Sequence, residues 1–316
     1  VPAAVAGDLP HRSGTLRLND FSASPSRPSP VGRFLASAPP EALFVLSAIA
    51  QYVGATVAID LFDEVNPATV AWLRVIGASL ALTLVSLPRI MRRISRAEFL
   101  AMAMFGTFTA LMNTFFYLAV DRLPLGKGVT IEFIGPIIVA ALRTRSSRNA
   151  FALLLAVVGV VVLSGVELGG EPLGLVFIFL ASAMWAGYIV VGSKVAQLDR
   201  GVAGLGIGLA VGALVISPLG APHSGDVWGS PRLLGLCLFV GIFSSAIGYG
   251  IDQYTLRRIP VRRFSVLLAL LPVVAVLTGF VALDQRPTLV DLLGMAFVLT
   301  GVVVQERDEL PTPTEQ

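Results

Sequence analysis

Long apolar runs alternate with short polar segments along most of the chain. Each run is close to the roughly 20 apolar residues that an α-helix needs to cross the hydrocarbon core of a bilayer. Prolines stand at or just before many of the runs, where a missing N–H does no harm to a helix. The pattern predicts ten transmembrane helices, at about residues 41–60, 67–87, 97–120, 124–142, 149–165, 172–193, 201–218, 231–254, 261–282 and 288–304.

The composition agrees with a membrane protein. The chain is 55% hydrophobic and 14% charged, with a mean hydropathy of +0.81, whereas soluble domains are about a quarter charged. The net charge of +3 is small, so we expect the lipid bilayer and not a nucleic acid as the large-scale partner. The lone Cys237 and two distant histidines argue against disulfides and zinc. We expect no cofactor or metal.

Three features argue against an enzyme. No His-Glu-x-x-His run is present, Cys237 has no histidine within the spans to activate it, and intramembrane acids are too few for an aspartyl dyad.

The basic residues predict the orientation. With the N-terminus in the cytoplasm, most loop arginines and lysines face inward, and the outward loops carry Arg122, Lys127, Arg232 and Arg286. This asymmetry predicts a multi-pass protein of the plasma membrane with both termini cytoplasmic. Residues 1–38 are rich in Ser, Pro and Arg and lack the apolar core of a signal peptide. We expect a disordered basic cytoplasmic tail there, with an organelle transit peptide as the alternative, and a short cytoplasmic tail at 306–316.

The two halves of the chain resemble each other. Five spans per half require the halves to be inverted across the membrane, and inverted repeats with matching proline-interrupted helices are typical of secondary transporters. The prediction is one five-helix repeat at 39–166 and another at 167–305; the alternative is that the inner prolines are packing kinks. The matched elements are Arg122-Leu-Pro124-Leu with Arg258-Ile-Pro260-Val, Pro136 with Pro272, and Gly159-Val-Val-Val with Gly301-Val-Val-Val.

Small residues at a spacing of four indicate close helix packing. Gly204, Gly208 and Gly212 follow this spacing, and Gly241, Ser245 and Tyr249 follow it less cleanly. We interpret both sets as packing positions.

Arg74 and Glu132 lie well inside predicted spans, roughly 10 and 12 Å along their helices from the outer side. A charge at the bilayer centre costs at least about 2.5–3.5 kcal/mol, so each needs a compensating role. One interpretation is a structural ion pair. The favoured one is a water-accessible cavity where they contact substrate or a coupling proton, because the repeat partner of Glu132 is Leu268 and the fold can be built without the charge.

The chemistry of this pair suits a zwitterion. Pro136 cannot donate to the carbonyl of Glu132, so a carboxylate and a freed backbone acceptor lie at one level and can bind an ammonium group. The planar fork of Arg74 suits a carboxylate. Pro136 and Pro272 are predicted helix breakers near the site. Further substrate-binding candidates are polar or aromatic residues within the spans: Asn113, Tyr117, Trp185, Tyr188 and Tyr52, together with Gln51, Tyr249, Asp252 and Gln253.

Several motifs give the chain a family resemblance. They are Leu73-Arg74, Met112-Asn113 through Tyr117-Leu118, Leu123-Pro124-Leu125-Gly126, Glu132-Phe133-Ile134-Gly135-Pro136 and Trp185-Ala186-Gly187-Tyr188-Ile189. Over about residues 41–305 the chain resembles the EamA-type members of the drug/metabolite transporter superfamily, and these motifs resemble the threonine/homoserine exporter branch. It departs from the family at Leu271, where a Glu is frequent, and at Asp284-Gln285, where Gly-Glu is frequent.

The resemblance implies export of small amino acids or related metabolites by alternating access, driven by the proton gradient. Protons as the coupling partner and assembly as a homodimer are further expectations. One alternative is a drug or other metabolite permease on the same fold. Another is a scaffold or sensor built on an inactive transporter fold.

Overall fold

Helices form all the regular secondary structure of the described residues, which are 37–90, 94–143, 146–165, 171–195, 198, 201–248, 251 and 270–304 of a computed structural model. The prediction of an all-helical chain is therefore confirmed for these ranges. Val1–Ala38 and Pro39–Gln316 are two separate units. The predicted N-terminal tail lies almost entirely outside the described residues.

The helices are numbered in chain order. A 3₁₀ turn, Leu61–Asp63, follows α1, and a π-helix, Gly241–Ile247, follows α10. Within the described ranges, the α-helices are α1 (Pro40–Asp60), α2 (Pro67–Ile90), α3 (Arg96–Val120), α4 (Leu125–Glu132), α5 (Ile134–Arg143), α6 (Ser147–Gly165), α7 (Pro172–Val195), α8 (Gly201–Gly220), α9 (Gly225–Trp228), α10 (Pro231–Val240), α11 (Leu270–Ala282) and α12 (Leu289–Val304).

Local sequence explains where several helices begin. Pro67, Pro172 and Pro231 are first residues of helices, where the fixed φ of proline fits and its missing N–H removes no bond. At the start of α3, the Ser95 side chain accepts from the Glu98 N–H and the Glu98 side chain accepts from the Ser95 N–H. This capping box satisfies two N–H groups that the helix leaves without partners.

The surface of the helices is apolar, as lipid contact requires. Five helices of the described residues are long and apolar enough to cross a membrane, and four shorter apolar ones accompany them. Large apolar side chains on these helices are exposed at the protein surface; Val85 is 81% exposed and Leu214 is 73% exposed. The chain is therefore a multi-pass membrane protein. The arrangement as ten spans in two inverted repeats stays a prediction.

Glycines bring α3 and α8 into backbone contact. A Cβ at Gly208 would lie 2.5 Å from the carbonyl oxygen of Met102, and Cβ atoms at Gly106 and Gly212 would meet backbone atoms of the opposite helix. Larger side chains would separate the helices at these levels. The packing role predicted for Gly208 and Gly212 is thus confirmed.

Helices α2 and α8 run antiparallel, and side chains of α2 donate hydrogen bonds to the backbone of α8. Trp72 Nε1 donates to the carbonyl oxygen of Ala213 at 3.0 Å, and Ser79 Oγ donates to that of Gly206 at 2.9 Å. Ser79 follows Trp72 by seven residues, and Ala213 follows Gly206 by seven. These bonds therefore join the two helices over about two turns.

Helices α6 and α12 contact each other reciprocally, as a two-fold axis between two helices would require. A Cβ on Gly159 would lie 2.6 Å from the carbonyl oxygen of Gly294, and one on Gly301 would lie 2.7 Å from that of Ala152. Gly159 follows Ala152 by seven residues, and Gly301 follows Gly294 by seven. Gly159 and Gly301 are also the matched glycines of the two similar Gly-Val-Val-Val runs.

Candidate functional site

Arg74 is buried and makes a hydrogen bond to a serine that is distant in the sequence. It lies in the first half of α2 and is 5% exposed, and its Nε donates to Ser245 Oγ at 2.9 Å. Ser245 lies on the π-helix, a helix type that is rare and frequent at functional sites. The first residue of this π-helix, Gly241, approaches the backbone of Arg74 so closely that a Cβ would lie 3.0 Å from the Arg74 Cα.

An aromatic ring covers one face of the Arg74 side chain. The guanidinium carbon lies 5.0 Å from the ring centroid of Tyr117, which comes from α3. Phe62 packs edge-on against the same ring at 5.5 Å. A cation over an aromatic face at this distance is stabilised by the ring quadrupole, and more strongly when the pair is desolvated.

Glu132 lies at a break in the helical backbone. It is the last residue of α4 and is 8% exposed; Phe133 forms a turn, and α5 begins at Ile134. Pro136 is the third residue of α5, where its missing N–H removes no intrahelical bond. The predicted proline-disturbed span is therefore two separate helices. Gly135 brings the break against α7, because a Cβ there would lie 3.0 Å from Ser182 Oγ.

The two charges lie near each other without direct contact. The positive charge of Arg74 acts electrostatically on the Glu132 carboxyl group. Within the described part of the chain, no ion pair joins the two side chains directly. The structural ion pair that the sequence left open is not formed here. A buried cation and a buried acid that lie near each other without pairing have the two charges that bind a molecule carrying both signs.

The chain is similar to known membrane transporters. Residues 172–305 match the EamA-like transporter family. The threonine/homoserine exporters RhtA of Salmonella typhimurium strain LT2 and Escherichia coli strain K12 are each 31% identical to this chain over 255 residues, which is 78% of this chain and 84% of the exporter.

The chain belongs to the EamA-like transporter family.

Two further proteins are similar to this chain at lower identity. An uncharacterized transporter of Archaeoglobus fulgidus is 25% identical over 218 residues, 66% of this chain and 76% of that protein. A solved crystal structure is similar with a TM-score of 0.57 and 18% identity, covering 84% of this chain and 95% of that one, which shows the fold alone. Because the family consists of transporters and the RhtA relatives are named exporters, this EamA-family chain is a membrane transporter and not an enzyme.

The other predicted site residues fall into two groups. Trp185 packs edge-on against Phe133 at 4.9 Å, directly beside Glu132, and Tyr52 belongs to the same apolar core cluster as Tyr117. Tyr188 packs against Phe105 at 4.6 Å in a second cluster.

Asn113 is buried on α3, but its amide donates to the Thr109 carbonyl of its own helix at 2.7 Å. Pro272 lies in α11. Tyr249, Asp252 and Gln253 lie outside the described residues.

Two residues have roles that the sequence analysis missed. Ser245 was assigned to packing, yet its hydroxyl contacts Arg74. Lys127 was counted with the loops, which is wrong: it lies in α4, is 4% exposed, and its Nζ is 3.9 Å from Asp291 Oδ1. The acidic partner, 164 positions away in the sequence, makes its burial tolerable. The presence of a serine hydroxyl within an apolar run was the sequence feature that could have indicated a polar contact of Ser245.

The departures from the EamA-family pattern have structural explanations at two positions. Asp284 has φ of 52°, a left-handed conformation that glycine adopts freely and that Asp tolerates better than most residues. Gln285 Oε1 accepts from the Leu125 N–H at 2.9 Å, so it caps the start of α4. A glutamate would supply the same acceptor there.

The EamA-family chain offers no metal centre in its described part, where no group of three or more His, Cys, Asp or Glu side chains could hold an ion. Cys237 is a buried free thiol.

Proposed function

We propose that this transporter exports small zwitterionic amino acids of the threonine and homoserine type, or closely related metabolites. Arg74 binds the substrate carboxylate, and Glu132 binds its ammonium group. The observation that carries this proposal is the pair of buried, opposite charges that interact without direct contact beside a helix break. The names of the RhtA relatives support the substrate, and the nearness of two unpaired, buried charges of opposite sign supports a substrate that bears both signs.

The break after Glu132 adds a second ammonium contact. Because Pro136 has no N–H to donate to the Glu132 carbonyl, that oxygen is available beside the carboxylate. Trp185 and Phe133 supply apolar walls next to these acceptors. Tyr117 and Tyr52 line the side of Arg74 in the same scheme, Asn113 lies one turn before Tyr117 on α3, and Tyr188 lies further along α7.

The proposed mechanism is alternating access between two inverted repeats, 39–166 and 167–305, with ten spans and both termini in the cytoplasm of the plasma membrane. The reciprocal contacts of α6 with α12 support this arrangement. Arg74 lies between Trp72 and Ser79, the two residues that donate to α8, so it lies where helices of the two proposed repeats meet. Transporter sites are typically found at such repeat interfaces near the bilayer midplane.

Proton coupling belongs to the same proposal. Glu132 is the acid placed to exchange a proton for the substrate ammonium, since intramembrane carboxyl groups commonly serve as proton relays in transporters. A homodimer is the proposed assembly to test alongside the monomer.

The test is efflux of labelled threonine and homoserine from preloaded cells that make the wild-type chain, Glu132→Gln or Arg74→Ala. Thr130→Val and Ser79→Ala are matched controls, because each removes a buried hydroxyl from the same helix that donates to a backbone carbonyl. All variants are compared at equal amounts in the membrane. We expect the two charge variants to lose efflux and the two controls to retain it.

Two results would contradict the proposal in different ways. Efflux that survives both Glu132→Gln and Arg74→Ala would show that the charges are structural and that the site is elsewhere. An inserted wild-type chain that moves neither amino acid would remove the substrate assignment, and a screen of drugs and other metabolites would then test the permease alternative.

A further inference from the structure

The geometry points to Ser245 as a positioning residue that makes Arg74 bind a carboxylate through its two terminal nitrogens, and thereby sets the preference for a carboxylate substrate. This inference rests on the proposed function, and it concerns how the same site selects its substrate. The serine lies 171 positions from Arg74 in the sequence, on the opposite predicted repeat.

The planar guanidinium group offers two edges for a two-bond contact with a carboxylate. One edge uses Nε with a terminal nitrogen, and the other uses both terminal nitrogens. In the structure Nε donates to Ser245 Oγ at 2.9 Å, so the first edge is occupied. The end edge, formed by the terminal nitrogens, is the one that this hydrogen bond leaves for a substrate.

The Tyr117 ring restricts the group further. With the guanidinium carbon 5.0 Å from the ring centroid, one face of the plane is covered. A serine contact on one edge and a ring on one face together fix the plane of the fork. A carboxylate is itself planar and matches such a fixed fork with two parallel hydrogen bonds, whereas a neutral amide has one acceptor oxygen.

The π-helix explains how Ser245 reaches Arg74. Gly241 lets this segment touch the backbone of α2 at Arg74 itself, and Ser245 follows four residues later with 3% exposure. The neighbouring Ser244 is equally buried, but its hydroxyl donates to the Val240 carbonyl. Ser244 therefore supplies a matched control on the same segment.

The experiment uses purified full-length protein in liposomes and measures counterflow of labelled threonine. Unlabelled threonine and threonine amide, which lacks the carboxylate, compete with the label. The readout is the ratio of their half-inhibiting concentrations, because this ratio does not depend on the amount of active protein. We expect the wild type to prefer threonine, Ser245→Ala to reduce that preference about tenfold, and Ser244→Ala to leave it unchanged.

Two further variants separate positioning from a structural effect. Arg74→Lys replaces the planar guanidinium group by an ammonium group, so Ser245 has no guanidinium left to orient. Adding Ser245→Ala to Arg74→Lys should therefore change the ratio little, as expected when one residue acts through the other. Ser245→Cys keeps a similar shape with a weak sulfur acceptor and should also lower the preference.

The inference is overturned if Ser245→Ala keeps the wild-type ratio, or if Ser244→Ala lowers it equally. These failures differ from failure of the proposed function, in which the wild-type protein shows no threonine counterflow at all.

Discussion

Replacing Gly241 by alanine tests the contact on which the site depends. Gly241 has helical backbone angles, φ −64° and ψ −45°, so alanine fits its conformation and any effect must come from packing. A Cβ there would lie 2.9 Å from the carbonyl carbon of Arg74 and 3.0 Å from its Cα, and closer still to its carbonyl oxygen. Normal carbon contacts are about 3.5–4.0 Å. Because the atoms it meets are backbone atoms, no side chain can rotate away.

The π-helix and α2 must therefore separate by roughly 0.5–1 Å to restore normal contacts. Overpacking of this kind costs about 1–3 kcal/mol of folding free energy, and the separation would lengthen the hydrogen bond between Ser245 and Arg74. Gly235 is the control, because a Cβ there meets nothing within 4 Å. Alanine at Gly235 should be neutral, or stabilising by up to about 1 kcal/mol through its helix propensity.

The assay is the thermal stability of the detergent-solubilised protein, measured together with threonine efflux at equal protein amounts. Gly241→Ala should lower both the melting temperature and the efflux, while Gly235→Ala should lower neither. Equal stability and equal efflux for the two variants would refute the close approach at Arg74.

Three further substitutions test separate contacts. Gln285→Leu removes the acceptor for the Leu125 N–H and should lower the free energy of unfolding by about 1 kcal/mol, whereas Gln285→Glu should keep the acceptor and the stability. Equal melting temperatures for the two variants would contradict the cap. Tyr117→Phe keeps the ring over Arg74 and should preserve the affinity for threonine, while Tyr117→Leu should weaken it, as competition assays would show. Trp185→Leu removes an edge-to-face pair worth about 0.5–1.5 kcal/mol and should raise the KM for efflux; an unchanged KM would contradict its place beside Glu132.

Sequence patterns predicted the local features of the fold well. Helices begin at Pro67, Pro172 and Pro231 because the chemistry of proline acts within a turn of its own position. Glycine spacing likewise predicted the packing role of Gly208 and Gly212, since a repeat of four places residues on one helix face. The break after Glu132 followed from Pro136, although a kinked single span was expected in place of two helices.

Features that depend on distant partners could not be predicted. Ser245 is one serine among several in apolar runs, and its role follows from the register of the π-helix against α2. Lys127 was interpreted as a loop residue because nothing near it in the sequence reveals its partner, Asp291, which lies on α12. Trp185 and Tyr188 are three positions apart on one helix, yet they pack against Phe133 and Phe105 in different clusters.

We propose that the buried pair of Arg74 and Glu132 binds the amino acid that this protein carries across the membrane. Counterflow of labelled threonine into liposomes that contain only the purified protein and unlabelled threonine tests this directly. We expect transient accumulation of label with the wild-type chain and with Thr130→Val, and none with Arg74→Ala or Glu132→Gln. Accumulation that is equal in all four proteins, or absent from the wild type, would contradict it.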